Sequence, residues 1–228
     1  MNQSLYKKPL YNAATDFTPV ALISEVALVL VARKDLPVDN LQQFIAYAKA
    51  NQAKMQFGSA GAGTTTHIGC TMLNRTIGVD VTHVPYRGGG PALLDLIAGR
   101  IDYMCSIAST AIPAILAKTV KPIAMLTDTR LRALPNLASA REQGLKDFNV
   151  YNWNAVFLPR DTQPAIVKKL NAALRRMMDS PAFIERLKTI NETVAAPDRR
   201  SPEYLKKLVA SEIDKWAVPI KASGVTAD

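Results

Sequence analysis

The residues best suited to chemistry lie in one run, Phe57-Gly58-Ser59-Ala60-Gly61-Ala62-Gly63-Thr64-Thr65-Thr66-His67. An apolar strand end passes into glycines and small hydroxyl residues, then into an amphipathic helix. Such a turn leaves backbone N–H groups and hydroxyls at the positive end of a helix, where a carboxylate or phosphate is stabilised. Ser59, Ala60, Gly61, Gly63, Thr64, Thr65 and His67 are the candidate ligand contacts it supplies. A second turn, Tyr86-Arg87-Gly88-Gly89-Gly90-Pro91, offers Tyr86, Gly88 and Gly89. A third, from Ser106 to Ser109, offers those two hydroxyls. One glycine turn can be no more than a tight connection. Three at one sheet edge favour a small anionic ligand. Tyr86 and Trp153 could wall its pocket, although an isolated aromatic in a strand more often packs into a core.

Other chemistries fit less well. Gly58 and Gly63 have the spacing of a phosphate-binding loop, but Thr64-Thr65 stands where the lysine and hydroxyl residue belong. No G-x-G-x-x-G follows a strand, and no G-x-S-x-G elbow is present. His67 and Cys70 share a helix face, yet His83 and Cys105 lie at spacings unlike zinc sites, so no metal or cofactor is expected. Ser59 with His67 could suggest a small-molecule hydrolase, but no third group orients the base. The chain therefore reads as a non-enzyme.

The 228 residues carry 28 Lys and Arg against 19 Asp and Glu. The basic residues are scattered and interspersed with acids on C-terminal helices, the pattern of solvated faces rather than of a nucleic-acid surface. Cys70 and Cys105 are too few for a disulfide framework and read as buried thiols. No stretch approaches the roughly 20 apolar residues of a membrane helix, and the first residues lack the apolar core of a signal peptide.

The elements that must position these turns follow from periodicity. The run Val26–Ala32 suggests a strand buried on both faces, as in a parallel sheet. Asp39 with Gln42 resembles a capping box before a helix carrying Leu41, Phe44, Ile45 and Ala48. Three strand–loop–helix units follow: strand 54–57, strand 79–84 and strand 101–105, each leading through one of the three turns. The second helix is expected to open at Pro91 and to bury Leu93, Leu94, Leu96 and Ile97. A strand at 122–126, a strand at 151–158 and helices opening near Pro164, Pro181 and Ser201 complete the chain. The first of these helices is expected to carry Ile166, Val167, Leu170, Leu174 and Met177. Alternation of this kind implies a mainly parallel α/β sheet, with ligands at the carboxyl ends of the strands.

These segments together resemble the substrate-binding receptors of tripartite tricarboxylate transporters, the Bug or TctC-like family. Residues 57–67 resemble its "YGSxGxGSxxHL" turn, and His83–Leu93 its "HVPYKGxxPAL". Gly99-Arg100-Ile101-Asp102 matches "GxVD", and residues 5–20 resemble "LPYDxxxDFxPV". The resemblance covers essentially the whole chain. It implies a type II periplasmic binding fold, two α/β lobes joined by crossing strands at Val26–Ala32 and Pro122–Leu126. Residues 33–122 would form the second lobe, and 1–32 with 123–228 the first. It further implies a monomeric, periplasmic receptor that holds a small organic carboxylate between its lobes and delivers it to transporter membrane subunits. Family members begin with a signal peptide and a Gly-rich turn that this sequence lacks. The first lobe is therefore expected to be incomplete at its N-terminus, and a shortened, binding-incompetent paralogue or interaction module is the alternative. A complete gene product without a signal peptide would be cytoplasmic. Cys105-Ser106-Ile107 also departs from the family's "FDN".

Overall fold

A continuous apolar run flanked by alternating positions makes β1 (Phe17–Arg33) a single 17-residue strand. In the computed structural model, which describes residues 2–223, the chain divides into two compact units. One comprises residues 27–152, the other residues up to Val26 and from Trp153 onward. β1 carries the chain into the first of these, and β6 (Tyr151–Pro159) carries it out again. The return passage thus lies in β6. The segment Pro122–Leu126 was expected to make it, but this segment packs within the 27–152 unit. The observed boundaries are wider than 33–122 because residues 27–32 and 123–152 share one sheet and core with the turns.

That sheet has the order β3-β2-β4-β1-β5, with β2 at Gln56–Ser59, β3 at Thr82–Pro85, β4 at Tyr103–Ile107 and β5 at Val120–Met125. β2 runs parallel to β3 and β4, with Phe57 opposite His83 and Tyr103. β1 runs antiparallel to both β4 and β5, pairing Leu28 with Ile107 and Val29 with Met125. The expected parallel setting of this strand is therefore corrected. Its double burial is real, since Leu28–Ala32 are wholly buried. It arises because β1 is clamped between two strands and covered by helices, which an antiparallel strand allows equally well.

The helices are α2 (Leu41–Asn51), α3 (Thr65–Ile77), α4 (Gly89–Ile97) and α5 (Ala108–Leu116). The N-cap of α2 is Asn40, whose side chain accepts from Gln43 N–H, one position later than the Asp39–Gln42 box read from the sequence. α4 opens two residues before Pro91 and buries Ala92 and Leu96, while Leu94 and Ile97 are 67% and 40% exposed. The helix is short and lays only one i, i+4 stripe on the sheet. Phe44 meets Tyr103 edge to face at 5.0 Å in the core.

The other unit contains the start of β1, most of β6, β7 (Thr193–Val194) and four helices. These are α1 (Asn2–Leu5), α6 (Pro164–Asp179), α7 (Pro181–Thr189) and α8 (Pro202–Ser223). β7 pairs with Ser24 and Glu25. Leu5, Leu22, Leu205 and Trp216 are buried there. α6 buries Val167 and Met178 and half-buries Leu170, Leu174 and Met177, so its inward face is the expected one except at Ile166, which is half exposed. Among the described residues, no helix is long and apolar enough to cross a membrane.

Candidate functional site

Where β2 ends at Ser59, the chain makes a turn that positive φ at Gly61 (129°) and Gly63 (76°) permits. Thr64 then caps α3, accepting from His67 N–H and donating to Gly61 O at 2.7 Å. The turn satisfies most of its own polar groups. Gly61 N–H donates to Ser59 Oγ (3.1 Å), Ala60 N–H to Thr66 Oγ1 (2.9 Å) and Gly63 N–H to His67 Nδ1 (3.0 Å). Thr64 N–H donates to Gly61 O. Among the described residues, no internal acceptor takes the amides of Ala62, Thr65 or Thr66. The row of available donors is thus shorter than the sequence suggests. Thr65, half-buried, donates its hydroxyl to Asn152 Oδ1 at 3.1 Å.

The second turn packs against the first. Tyr86 N–H donates to Ser59 O at 3.1 Å, and a Cβ on Gly61 would come within 3.3 Å of Tyr86 O. The Tyr86 hydroxyl donates to Asp95 Oδ2 at 2.8 Å. Burial, then Asp95, pushes this phenol up to about 12. Gly88, with φ of 124°, is the N-cap of α4 and supplies no side-chain bond. A Cβ on Gly89 would lie 3.5 Å from Thr110 Cγ2, so the opening of α4 touches the first turn of α5. The cap of α5 is Ile107, likewise without a side-chain bond. Ser106 is buried and donates to Ile107 O, while Ser109 is half-buried in the first turn of α5. The expected Ser106–Ser109 loop is in fact a strand end that passes directly into a helix. α4 and α5 therefore bring two uncapped N-termini side by side at the carboxyl ends of β3 and β4. Helix ends without caps require another acceptor for their first N–H groups.

Behind the first turn lie two imidazoles, stacked 3.8 Å apart and inclined by 14°. His67 is buried, and Phe57 stacks against both rings. Ser59 Oγ lies 2.7 Å from His83 Nε2, not from His67. Desolvation lowers both rings to about 4, helped for His83 by its neighbour, so both are neutral at pH 7. Ser59 is fully buried and its oxygen is engaged within the turn. The serine hydrolase reading thus has a nucleophile with no route to a substrate.

Cys70 and Cys105 form a disulfide joining α3 to β4, which corrects their reading as free thiols. Their spacing of 35 residues gave no signal, because strand order alone brings them together. No group of three or more His, Cys, Asp or Glu among the described residues could hold a metal. Trp153 belongs to the other unit, where its indole donates to Glu212 at 3.3 Å. Sequence reasoning missed His83, Thr110 and Asn152. His83 sits within a quoted motif, while Thr110 and Asn152 are ordinary polar residues that only the fold brings to the turns.

A sheet that gathers helix N-termini at its strand ends, in a chain that β1 and β6 carry between two α/β units, defines the class of periplasmic binding proteins. The chain belongs to the tripartite tricarboxylate transporter family receptors, TctC, whose family model matches residues 2–225. It is 35% identical over 221 residues to a protein from the TAR-I ttuE–ttuC′ intergenic region of Agrobacterium vitis, covering 97% of this chain and 64% of that protein. It thus spans under two thirds of that relative's length. Among solved structures it is similar to MatC from Rhodopseudomonas palustris with bound malate. That match has 38% identity and a TM-score of 0.86, and covers 95% of this chain and 74% of MatC. It is also similar to an R. palustris protein with adipate, at 30% identity and a TM-score of 0.87, covering 99% of this chain and 75% of the other.

Proposed function

We propose that this protein is a solute-binding receptor for a small organic carboxylate, most simply an aliphatic dicarboxylate, which it passes to a tripartite transporter. The observation that carries the reading is the pair of adjoining, uncapped N-termini of α4 and α5 beside the Thr64–Thr66 turn. One carboxylate would accept from the amides of Thr65, Thr66 and Gly89 and from the hydroxyls of Thr65 and Ser109. Ser59, Gly61, Gly63 and His67 hold the turn in shape, and Tyr86 and Gly88 hold its neighbour. Two similar proteins are solved with malate and adipate, which supports the ligand class. Capture by backbone dipoles needs neither a metal nor a fixed arginine. The Cys70–Cys105 disulfide supports a periplasmic setting, since such bonds persist in oxidising compartments.

The test is a thermal-shift screen with malate, adipate and related acids, followed by calorimetry. A ligand at 100 times its Kd stabilises the folded state by about 2.7 kcal/mol. A cooperative melt that none of these acids moves would sink the receptor reading and favour a scaffold that no longer binds.

A further inference from the structure

Both imidazoles behind the first turn bond to it, His67 as an acceptor. Gly63 N–H points at His67 Nδ1, so the neutral ring carries its proton on Nε2. Ser59 Oγ lies 2.7 Å from His83 Nε2 and also reaches Gly61 O at 3.1 Å, so it accepts from His83 Nε2–H when its hydroxyl donates to Gly61 O and donates to that nitrogen otherwise. The same Ser59 oxygen accepts Gly61 N–H. Two of the turn's amides are thereby tied, one directly and one through Ser59, to a pair of rings in van der Waals contact. We propose that the His67–His83 stack is the positioning device of the anion-binding turn, holding Gly61–Thr65 in place only while both rings are neutral and releasing it on protonation. This rests on the carboxylate site placed at that turn under Proposed function.

The chemistry is one of mismatched donors. Protonation at His67 Nδ1 would set an N–H against Gly63 N–H. Protonation of His83 would fix Nε2 as a donor to Ser59 Oγ and deny the Ser59 hydroxyl that acceptor. Protonation of both rings would stack two cations 3.8 Å apart. Among the described residues, no neighbour offsets this. β2 contributes Phe57 and Ser59, and no charged residue of α3 acts on either ring. From β4 comes Tyr103, whose hydroxyl donates to Asn74 and is pushed above its ordinary range by burial. Asp102, next in sequence, is turned to Arg33 and to Gln56 N–H. Each ring titrates in the fold below its ordinary value of 6.5. The unfolded chain therefore binds more protons than the native one as pH falls. The contribution of the pair is whole above about 6.5 and is lost as pH drops towards about 4.

The experiment follows the wild-type chain by nitrogen-15 NMR with labelled histidine and glycine from pH 7.5 to 3.5. Malate and adipate binding are measured by calorimetry at pH 7.5 and 4.0. His67 is expected to show an unprotonated Nδ1 and a protonated Nε2 down to about pH 5.5. The Gly63 amide should then shift in step with the ring titration. Rings that titrate near 6.5 while the Gly63 amide stays still would overturn the proposal. The acids' own carboxyls titrate in the same window, so the control is His67→Gln, which keeps an acceptor oxygen and removes the titrating ring. The wild-type rise in Kd between the two pH values should exceed that of H67Q by about twofold, since His67 is about half protonated at pH 4.0. Equal rises would also overturn it. If neither acid binds at pH 7.5, the carboxylate reading fails, and the NMR titration alone decides the role of the pair.

Discussion

In the proposed site Thr65 has the largest part, because it brings both an amide and a hydroxyl to the opening of α3. Its hydroxyl rests on Asn152 Oδ1, and a carboxylate would compete with that partner. Thr65→Val keeps the shape and removes the hydroxyl. Carboxylate affinity should then fall by about 1 kcal/mol, roughly fivefold, in calorimetry, with little change in urea midpoint. Ser109→Ala, at the opening of α5, should act similarly, and an unchanged affinity in both would move the site elsewhere. The residue types of the turn were legible because glycine and threonine at these positions have few other uses. Which amides remain available was not legible. That depends on Thr66, His67 and Ser59 folding back on the turn, which spacing alone does not fix.

At the scale of elements, α4 shows what periodicity reveals and what it misses. Leu93, Leu94, Leu96 and Ile97 give no sharp polar face, so the sequence marks a helix without saying which side is inward. The fold selects Ala92 and Leu96. Leu96→Ala should cost about 2–5 kcal/mol in urea denaturation, while Leu94→Ala should stay within about 0.5 kcal/mol. The reverse order would mean the helix is rolled by about half a turn. The long strand β1 carries a similar lesson. Its apolar run announced burial on two faces, but burial carries no information on the direction of its neighbours. The disulfide was invisible for a related reason, since α3 and β4 meet only once β2 and β4 are paired. Replacing both cysteines by serine should lower stability by about 2–4 kcal/mol and leave the far-UV circular dichroism unchanged. A fully reduced protein of unchanged stability would deny the bond a structural role.

For the whole molecule, the two compact units differ in how the chain builds them. Residues 27–152 are contiguous and hold the complete path β3-β2-β4-β1-β5 with its helices and its disulfide. The other unit is assembled from two separate stretches. A fragment of residues 27–152 should therefore melt cooperatively with dispersed amide signals, and a fragment from residue 153 onward should not. A molten 27–152 fragment would show that its core depends on the rest of the chain. The three turns all lie in this contiguous unit, which is why so much of the candidate site could be read along one stretch of sequence.

The Cys70–Cys105 bond sets one further condition, on how the molecule is made. Both sulphurs are wholly inaccessible in the finished fold, so no oxidase or oxidised glutathione can reach them there. The bond must close while α3 is still undocked from β4. A cell that completes this fold before meeting an oxidant would seal two thiols inside it. In the proposed periplasmic setting the chain would have to arrive unfinished, and the timing of delivery would become part of its assembly.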